Sequence, residues 1–341
     1  MKAVILAGGC GTRLWPLSTK EKPKQFHKLC SDKTMLEEAV LRVNFLKNED
    51  IYIAINRDHL ELTKKLCPQI PRENIIIEPV LRDTAAAIGY STKIIEDKFP
   101  ESVMAIIYAD QWIKNTENFQ KYLKIAAKIA EKQNTLNIIE VPATSPHTGY
   151  GYVKLSQKTD TIDGTEIYQI DSFKEKPDEE TAKKFVKEEN YLWNTGIYVW
   201  KSSVLLEYFK KYQPKTHEAL MQMTSEEKVE AIYPTLEKIS LDYAIMEKVP
   251  MESIRIIKAE NLGWSDIGDF EALHEELPKN DDGNILRGNI KSHELKNSLV
   301  IDEENKEIKI LGLSDIVIIN TKDGLLVSKK SLTKQLKILD K

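Results

Sequence analysis

The sequence predicts an α/β sheet domain followed by a small all-β domain, and three observations carry that prediction. The chain opens on an unbroken apolar run, Ala3-Val4-Ile5-Leu6-Ala7, which meets Gly8-Gly9; such a run reads as a strand buried on both faces of a parallel sheet. Apolar strand-like runs then alternate with helix-periodic segments as far as residue 141, the pattern of a doubly wound, mostly parallel, Rossmann-like sheet. Beyond residue 284 only short apolar runs separated by turn residues remain. They predict a small β-rich unit, a β-helix-like coil of parallel strands.

Taken in order, residues 35–46 place apolar side chains at Met35, Leu36, Ala39, Val40, Val43 and Leu46, the spacing of one helix face. Residues 51–55 form a buried strand, and the next helix begins at 56–59, with His59 in a solvated or capping position. Residues 74–79 give a strand closed by Pro79, and Asp83 or Thr84 can cap the alanine-rich helix that follows. Residues 103–109 are another apolar strand, and Asp110 comes at its end. A carboxylate there lies where open α/β sheets bind ligands. An amphipathic helix over 119–132 and a strand over 136–141 complete the alternation.

Glycine and aromatic residues at 148–153 open a region of alternating strands that includes 169–174 and 194–200. A helix over 178–188 starts just after Pro177, and helical periodicity returns over 202–212 and 219–232. Asp242 reads as the N-cap of a helix and Asp269 as the cap of one beginning at Phe270. Trp193 and Trp200 read as core. A polar, turn-rich linker at 278–284 divides residues 1–277 from a small domain over 284–341, which closes with a helix over 331–339.

At 341 residues the chain is long enough for about two domains. A net charge of −4 and a pI near 6.0 give no global attraction for nucleic acid or an anionic membrane. Any affinity for phosphate must be local. Charged residues make up 30% of the chain, which fits a thermophilic source. Cys10, Cys30 and Cys67 have no metal-ligand spacing, and their odd number argues against a disulfide framework. With no signal-like segment or membrane-length apolar run, a soluble cytoplasmic setting is the simplest reading.

The richest stretch is Gly8-Gly9-Cys10-Gly11-Thr12-Arg13-Leu14-Trp15-Pro16-Leu17-Ser18 together with Lys22-Pro23-Lys24-Gln25-Phe26. Closely spaced glycines let backbone N–H groups approach an anion. Arg13, Lys22 and Lys24 add positive charge. The combination suits a polyphosphate, yet it matches neither the Walker A loop nor the Gly-x-Gly-x-x-Gly dinucleotide fingerprint.

This stretch resembles the signature of the sugar-1-phosphate nucleotidyltransferases, and its Trp-Pro-Leu-Ser and Lys-Pro-Lys-Gln-Phe details are similar to the branch that acts on mannose 1-phosphate and GTP. The resemblance spans roughly residues 1–275. It implies phosphate contacts from Gly8, Gly9, Gly11, Thr12, Arg13 and Lys24, and magnesium held by Asp110 and Asp266, the latter within Gly263-Trp264-Ser265-Asp266-Ile267-Gly268-Asp269.

Leu81-Arg82-Asp83-Thr84-Ala85-Ala86-Ala87 is similar to a segment beside the purine base, which implies base contacts from Arg82 and Thr84. The family usually has Pro, Asn and Pro where this chain has Leu81, Asp83 and Ala86, and His where it has Gln111. Glu175-Lys176-Pro177 and Asn194-Thr195-Gly196 resemble the sugar-side motifs. Glu175 and Asn194 would then hold sugar hydroxyls, Lys176 the sugar phosphate, and Gly149 would also line the substrate.

The activity implied is attack of mannose 1-phosphate on the α-phosphorus of GTP, giving GDP-mannose and pyrophosphate with Mg2+ as cofactor. It needs no general base and no covalent intermediate. Two alternatives stay open: a nucleotidyltransferase for another sugar 1-phosphate, such as glucose 1-phosphate, and a non-catalytic subunit that binds nucleotide sugar. Longer relatives carry a further isomerase domain, so the chain is expected to be monofunctional. A homodimer through the small C-terminal domain is expected as well.

Overall fold

The computed structural model describes residues 1–9 and 12–340, the side chains of Thr12, Lys337 and Asp340 excepted. Cys10 and Gly11 lie outside the described residues, so Gly11 and the Thr12 side chain are not placed.

The strands, in chain order, are β1 (Lys2–Leu6), β2 (Ile51–Asn56), β3 (Ile75–Glu78), β4 (Val103–Tyr108), β5 (Trp112–Ile113), β6 (Leu136–Pro142), β7 (Gly151–Ile162), β8 (Thr165–Glu175), β9 (Tyr191–Lys201), β10 (Ile254–Lys258) and β11 (Trp264–Ser265). Then follow β12 (Ile285–Arg287), β13 (Ile290–His293), β14 (Leu299–Asp302), β15 (Ile308–Leu311), β16 (Ile316–Thr321) and β17 (Gly324–Lys329). The helices are α1 (Met35–Arg42), α2 (Leu60–Leu66), α3 (Asp83–Lys98), α4 (Thr116–Gln133), α5 (Glu179–Lys187), α6 (Ser202–Tyr212), α7 (Pro214–Gln222), α8 (Glu226–Ile232) and α9 (Phe270–Glu276). Among the described residues no helix is long and apolar enough to cross a membrane.

By packing, the chain forms two compact units, one of residues 1–8, 39–108 and 113–264, the other of 9–38, 109–112 and 265–341. The first is a Rossmann-like α/β unit. Its nine-stranded sheet has the order β3-β2-β1-β4-β9-β6-β10-β8-β7. β1 pairs in parallel with both β2 and β4, and nearly every residue of these three strands is buried, as expected where both faces are covered.

The sheet departs from a purely parallel one at β9, which inserts between β4 and β6 antiparallel to both. Local pattern cannot reveal this, because strand order depends on pairing between distant segments. β7 and β8 form a hairpin in which Ile162 faces Thr165, closed by Asp163 and Gly164, both at positive φ. An Asp-Gly pair is the sequence of a two-residue turn of that kind.

Several boundaries move for identifiable reasons. α1 starts with a capping box, in which Thr34 Oγ1 accepts from the Glu37 N–H and Glu37 Oε2 accepts from the Thr34 N–H; it ends at Arg42 rather than 46. The helix expected over 219–232 is two helices, because Ser225 accepts the Lys228 N–H and starts α8 anew. Asn56 accepts the Asp58 N–H ahead of α2, while His59 is buried rather than solvated. Asp178 caps α5 and Asp269 caps α9; Trp200 is fully buried in the core.

The second unit has its own core, in which Leu14, Leu17, Leu29 and Met35 pack with Phe270, Leu273, Leu299, Ile301, Val317 and Ile319. Its membership therefore differs from a single cut at 277–284: the charged segment 9–38 shares a core with the C-terminal strands. In that β-rich region β12, β14 and β16 run parallel in register, β13 pairs in parallel with β15, and β17 returns antiparallel to β16. β13 escapes sequence patterning because its residues are mostly exposed and polar. Residues 330–340 close the chain as a 3₁₀ segment.

Candidate active site

In the second unit the charged segment converges on one ammonium group. Pro23, with φ −63°, leads into the 3₁₀ turn Lys24–Phe26, all three residues of which are buried. The Lys24 amino group, only 4% exposed, donates to the backbone oxygen of Asp266 at 2.6 Å and approaches that of Ile267 at 3.4 Å. Its third neighbour is Asp110 Oδ2 at 3.1 Å. A lysine has three donors, so in this state all of them point at protein acceptors. Lys24 thus ties two aspartates together that lie far apart in the chain.

The 266–268 turn is shaped for that role. Asp266 Oδ1 accepts the Gly268 N–H at 3.0 Å and Ser265 Oγ accepts the Ile267 N–H at 3.3 Å. Ile267 has φ +43°, a strained conformation for a β-branched residue. A Cβ on Gly268 would lie 2.8 Å from Asp266 Oδ2, so the close approach requires glycine. Arg13 Nη2 stands 4.0 Å from Asp266 Oδ2 and its side chain is 59% exposed.

Gln25 Nε2 donates to the Gly9 oxygen at 3.0 Å, which pins the glycine turn. Among the described residues nothing lies within 4 Å of a Cβ placed on Gly9, so backbone there is open to approach by a ligand. His27 bonds the Lys22 oxygen, and burial, with Lys22 beside it, pushes its pKa down to about 4. The imidazole is neutral at pH 7 and engaged.

Asp110, 41% exposed, meets Lys24 through its carboxylate and Asp266 meets it through the backbone, which leaves two carboxylates as candidate metal donors; no cluster of three or more metal-ligating side chains occurs among the described residues. That donor set fits magnesium, which is held by one or two carboxylates and completes its octahedron with phosphates and water.

The sugar-side candidates lie in the first unit. Glu175 Oε1 is 2.8 Å from Lys176 Nζ, and Lys176 sits at φ +44°, which turns its exposed side chain off the strand. The hydrogen bond that Lys176 donates to Glu175 raises the Lys176 pKa. A Cβ on Gly151 would come within 2.5 Å of Glu175 Oε2 and 3.2 Å of Asn194 Cβ; the glycine lets these two side chains meet the backbone. Asn194 Oδ1 accepts the Gly196 N–H at 3.0 Å, and its Nδ2 lies 3.3 Å from Asp242 Oδ1.

Asp242 is therefore not a helix cap. It begins a π-helical turn, Asp242–Met246, a deformation common at functional sites, and its carboxylate also accepts from the Tyr198 hydroxyl at 2.7 Å. Burial raises the Asp242 pKa, and the Tyr198 hydroxyl is pushed well up by burial and by Asp242. Nothing local in the sequence marks Tyr198 as the partner of Asp242.

The other candidates are also in the first unit. Arg82 donates from Nη2 to the Pro234 oxygen, and the Thr84 hydroxyl accepts the Leu241 N–H at 2.9 Å. Both fasten the start of α3, where Arg82 occupies the N-cap without a side-chain bond and Asp83 accepts the Thr84 N–H. Gly149 is exposed and its N–H donates to His147 Nδ1 at 3.2 Å. Beneath Gly8 lies a residue sequence reasoning passed over: Glu78 Oε1 would be 3.1 Å from a Cβ there. Glu78 is buried, bonded to the Tyr233 hydroxyl at 2.6 Å, and burial pushes its pKa up to about 7.

Comparison with known proteins identifies the family of the chain. Residues 2–282 match the sequence model of the nucleotidyl transferase family. A mannose-1-phosphate guanylyltransferase of Escherichia coli is 32% identical over 98% of this chain and 74% of its own length. The alginate biosynthesis protein AlgA of Pseudomonas putida is 32% identical over 97% and 69%. A crystal structure from Thermus thermophilus, described as a mannose-1-phosphate geranyltransferase, superposes with a TM-score of 0.89 at 27% identity and covers 99% of this chain and 98% of that one. This chain belongs to the nucleotidyl transferase family, alongside the mannose-1-phosphate guanylyltransferases.

Proposed function

We propose that this protein transfers GMP from GTP to α-D-mannose 1-phosphate, forming GDP-mannose and pyrophosphate. The observation that carries the reading is the Lys24 ammonium joined at once to Asp110 and to the Asp266 backbone across 242 residues of sequence, in a chain whose relatives are named for this reaction. A phosphate oxygen of mannose 1-phosphate attacks the α-phosphorus of GTP. A new P–O bond forms, the bond to the β-phosphate oxygen breaks, and pyrophosphate leaves with that electron pair.

Catalysis of such a step rests on holding two anions in line and stabilising charge as it develops. Gly8, Gly9, Gly11 and Thr12 offer donors to the triphosphate, with Arg13 the mobile cation beside it. Lys24 fixes Asp110 and the 266–267 backbone and presents its charge to the phosphates. Enzymes of this family generally use a divalent ion; here Asp110 and Asp266 would hold Mg2+, which would supply charge to polarise the phosphates and neutralise the leaving group.

Arg82 and Thr84 border the base, Glu175 and Asn194 take sugar hydroxyls, Lys176 takes the sugar phosphate, and Gly149 lines the same side. A phosphate monoester is largely dianionic near neutral pH, so the nucleophile needs no base, and neutral His27 is free of any such duty.

The same reading extends to assembly. The C-terminal strands form a β-helix-like coil, and Leu325 and Val327, two apart on one strand, are 57% and 63% exposed, apolar side chains that a second copy would cover in a cytoplasmic homodimer. The substrate assignment is tested by pyrophosphate release from every pairing of GTP, ATP, UTP and dTTP with mannose and glucose 1-phosphates. GTP with mannose 1-phosphate should exceed each other pairing by at least about tenfold. A faster alternative pairing would replace this assignment, and no release from any pairing would favour a binding subunit.

A further inference from the structure

We propose that Glu140 is a positioning residue for the sugar side of the reaction, a neutral carboxylic acid that holds the bend of β9 from which Asn194 projects. The proposal rests on the assignment of Asn194 to the sugar. Its starting point is an irregularity in the sheet. The register of β6 against β9 shifts between Ile139 and Val141: the single residue Glu140 faces three residues of β9, Asn194, Thr195 and Gly196, so the bulge, a device that re-aims a side chain, lies on β9. The backbone oxygen of Glu140 still accepts the Ala259 N–H at 2.8 Å. Its side chain is turned into the protein and is fully buried.

There Glu140 Oε2 accepts the Thr195 N–H at 2.7 Å. Thr195 is buried as well, and its hydroxyl donates to the Ile139 oxygen at 2.5 Å, so the bulged segment of β9 is bolted to β6 at two points. Gly196 follows at φ +73° with the Tyr108 ring 2.9 Å from where its Cβ would be. The bend therefore has a fixed shape on both sides, and Asn194 is its outer residue. Removing the Glu140 acceptor takes away the buried partner of the Thr195 N–H, a loss that favours a change in the shape of the bend.

The other carboxyl oxygen decides the protonation state. Oε1 is buried with no hydrogen-bond partner among the described residues, and an ionised carboxylate in that position would carry an uncompensated charge. The titratable groups around it make this worse. Asp242, on the π-helical turn, is a second carboxyl group, and Tyr198 on β9 is a phenol. No cation is among the causes acting on Glu140. Burial accordingly drives its pKa well above the usual carboxylate range, with the Thr195 N–H acting in the opposite direction. The acid form keeps Oε2 as acceptor for the Thr195 N–H and leaves only a neutral O–H at Oε1, which costs far less to bury than a full charge. A glutamine would supply the same acceptor without a titration.

The test compares wild type with Glu140→Gln and Glu140→Ala, reading KM for each substrate and kcat across pH 6.5–9.5, with thermal melts at every pH. Glu140→Gln should match wild type near pH 7. Any alkaline climb of the wild-type KM for mannose 1-phosphate should be at least threefold smaller in Glu140→Gln, and where wild type stays flat the variant should stay flat with it. Glu140→Ala should raise KM for mannose 1-phosphate about tenfold and leave KM for GTP and kcat within twofold.

An alkaline climb that persists unchanged in Glu140→Gln overturns the proposal even if the alanine variant fails to fold. Equal effects of Glu140→Ala on both KM values overturn it as well. Asn194→Ala separates the two levels of argument: if it leaves KM for mannose 1-phosphate unchanged, the sugar-side assignment itself is wrong, whereas a raised KM there with a silent Glu140→Ala removes only the role of Glu140.

Discussion

Replacing Lys24 by alanine removes the group that joins the two aspartates, and the structure sets the size of the effect. Its ammonium is nearly inaccessible and has three protein acceptors. Breaking a fully buried ion pair costs about 3–5 kcal/mol. Here the orphaned partner, Asp110, is 41% exposed and can rehydrate, so the expected loss is nearer about 1–3 kcal/mol. For a chain of this size that lowers Tm by roughly 2–6 °C. A fixed cation serving developing charge in the transition state is worth about 10²–10³ in kcat.

The two numbers separate the roles. Pyrophosphate release with saturating GTP and mannose 1-phosphate, measured at 25 °C on protein shown folded by circular dichroism, should fall by that larger factor while most of the structure remains. Lys24→Arg should not restore it, because a guanidinium fork does not fit a pocket shaped for a compact ammonium. Activity within about threefold of wild type would refute the reasoning, as would a loss that disappears on cooling in step with refolding.

Asp110→Asn and Asp266→Asn should each abolish divalent-ion-dependent turnover with Tm changed by only a few degrees, checked by titrating the ion against rate; an undiminished ion response would place the metal elsewhere. Asp242→Asn, which keeps an acceptor for Tyr198 but removes the charge, should raise KM for mannose 1-phosphate several-fold and spare KM for GTP. Glu78 has a folded-state pKa of about 7 against an ordinary 4.5, so its contribution to stability is fully present below pH 4.5 and is lost as pH rises through 7. On that basis Glu78→Gln should gain on wild type by on the order of 3 kcal/mol across the window, read from denaturant midpoints at pH 4.5 and 7.5; parallel pH curves for the two proteins would contradict it.

The local part of this architecture is written in the sequence. The apolar runs at 3–7, 51–55 and 103–108 are strands because continuous burial on two faces leaves no other pattern, and Asp178 and Asp269 cap helices because a carboxylate one residue ahead of a helix meets free N–H groups. The turn at Asp163-Gly164 was equally legible. What could not be read is whatever depends on distant partners. β9 lies antiparallel between β4 and β6, the segment 9–38 shares a core with strands near 300, and Asp242 turns inward to Tyr198 because a π-helical turn replaces the helix start its sequence suggests.

The candidate site follows the same division. The motif residues Arg13, Lys24, Asp110 and Asp266 were named from sequence, and the structure brings them into one cluster within a single unit. Their mutual bonding was not legible: a lysine between two phosphate-directed motifs looks like a ligand, whereas here all its donors already have protein acceptors. The buried polar residues of the first unit, Glu78, Glu140 and Tyr198, leave no mark in sequence, since a single polar residue in an apolar strand reads the same whether it is buried with a partner or turned to solvent.

The central claim is that Asp110 and Asp266 hold one divalent ion against the triphosphate of GTP. A crystal structure with Mg2+ and a non-hydrolysable GTP analogue tests it most directly. The account predicts a single ion at about 2.0–2.1 Å from a carboxylate oxygen of each aspartate, with its remaining positions filled by phosphate oxygens and water. An ion bound to other residues, or a triphosphate lying away from Gly8 and Gly9, would contradict it.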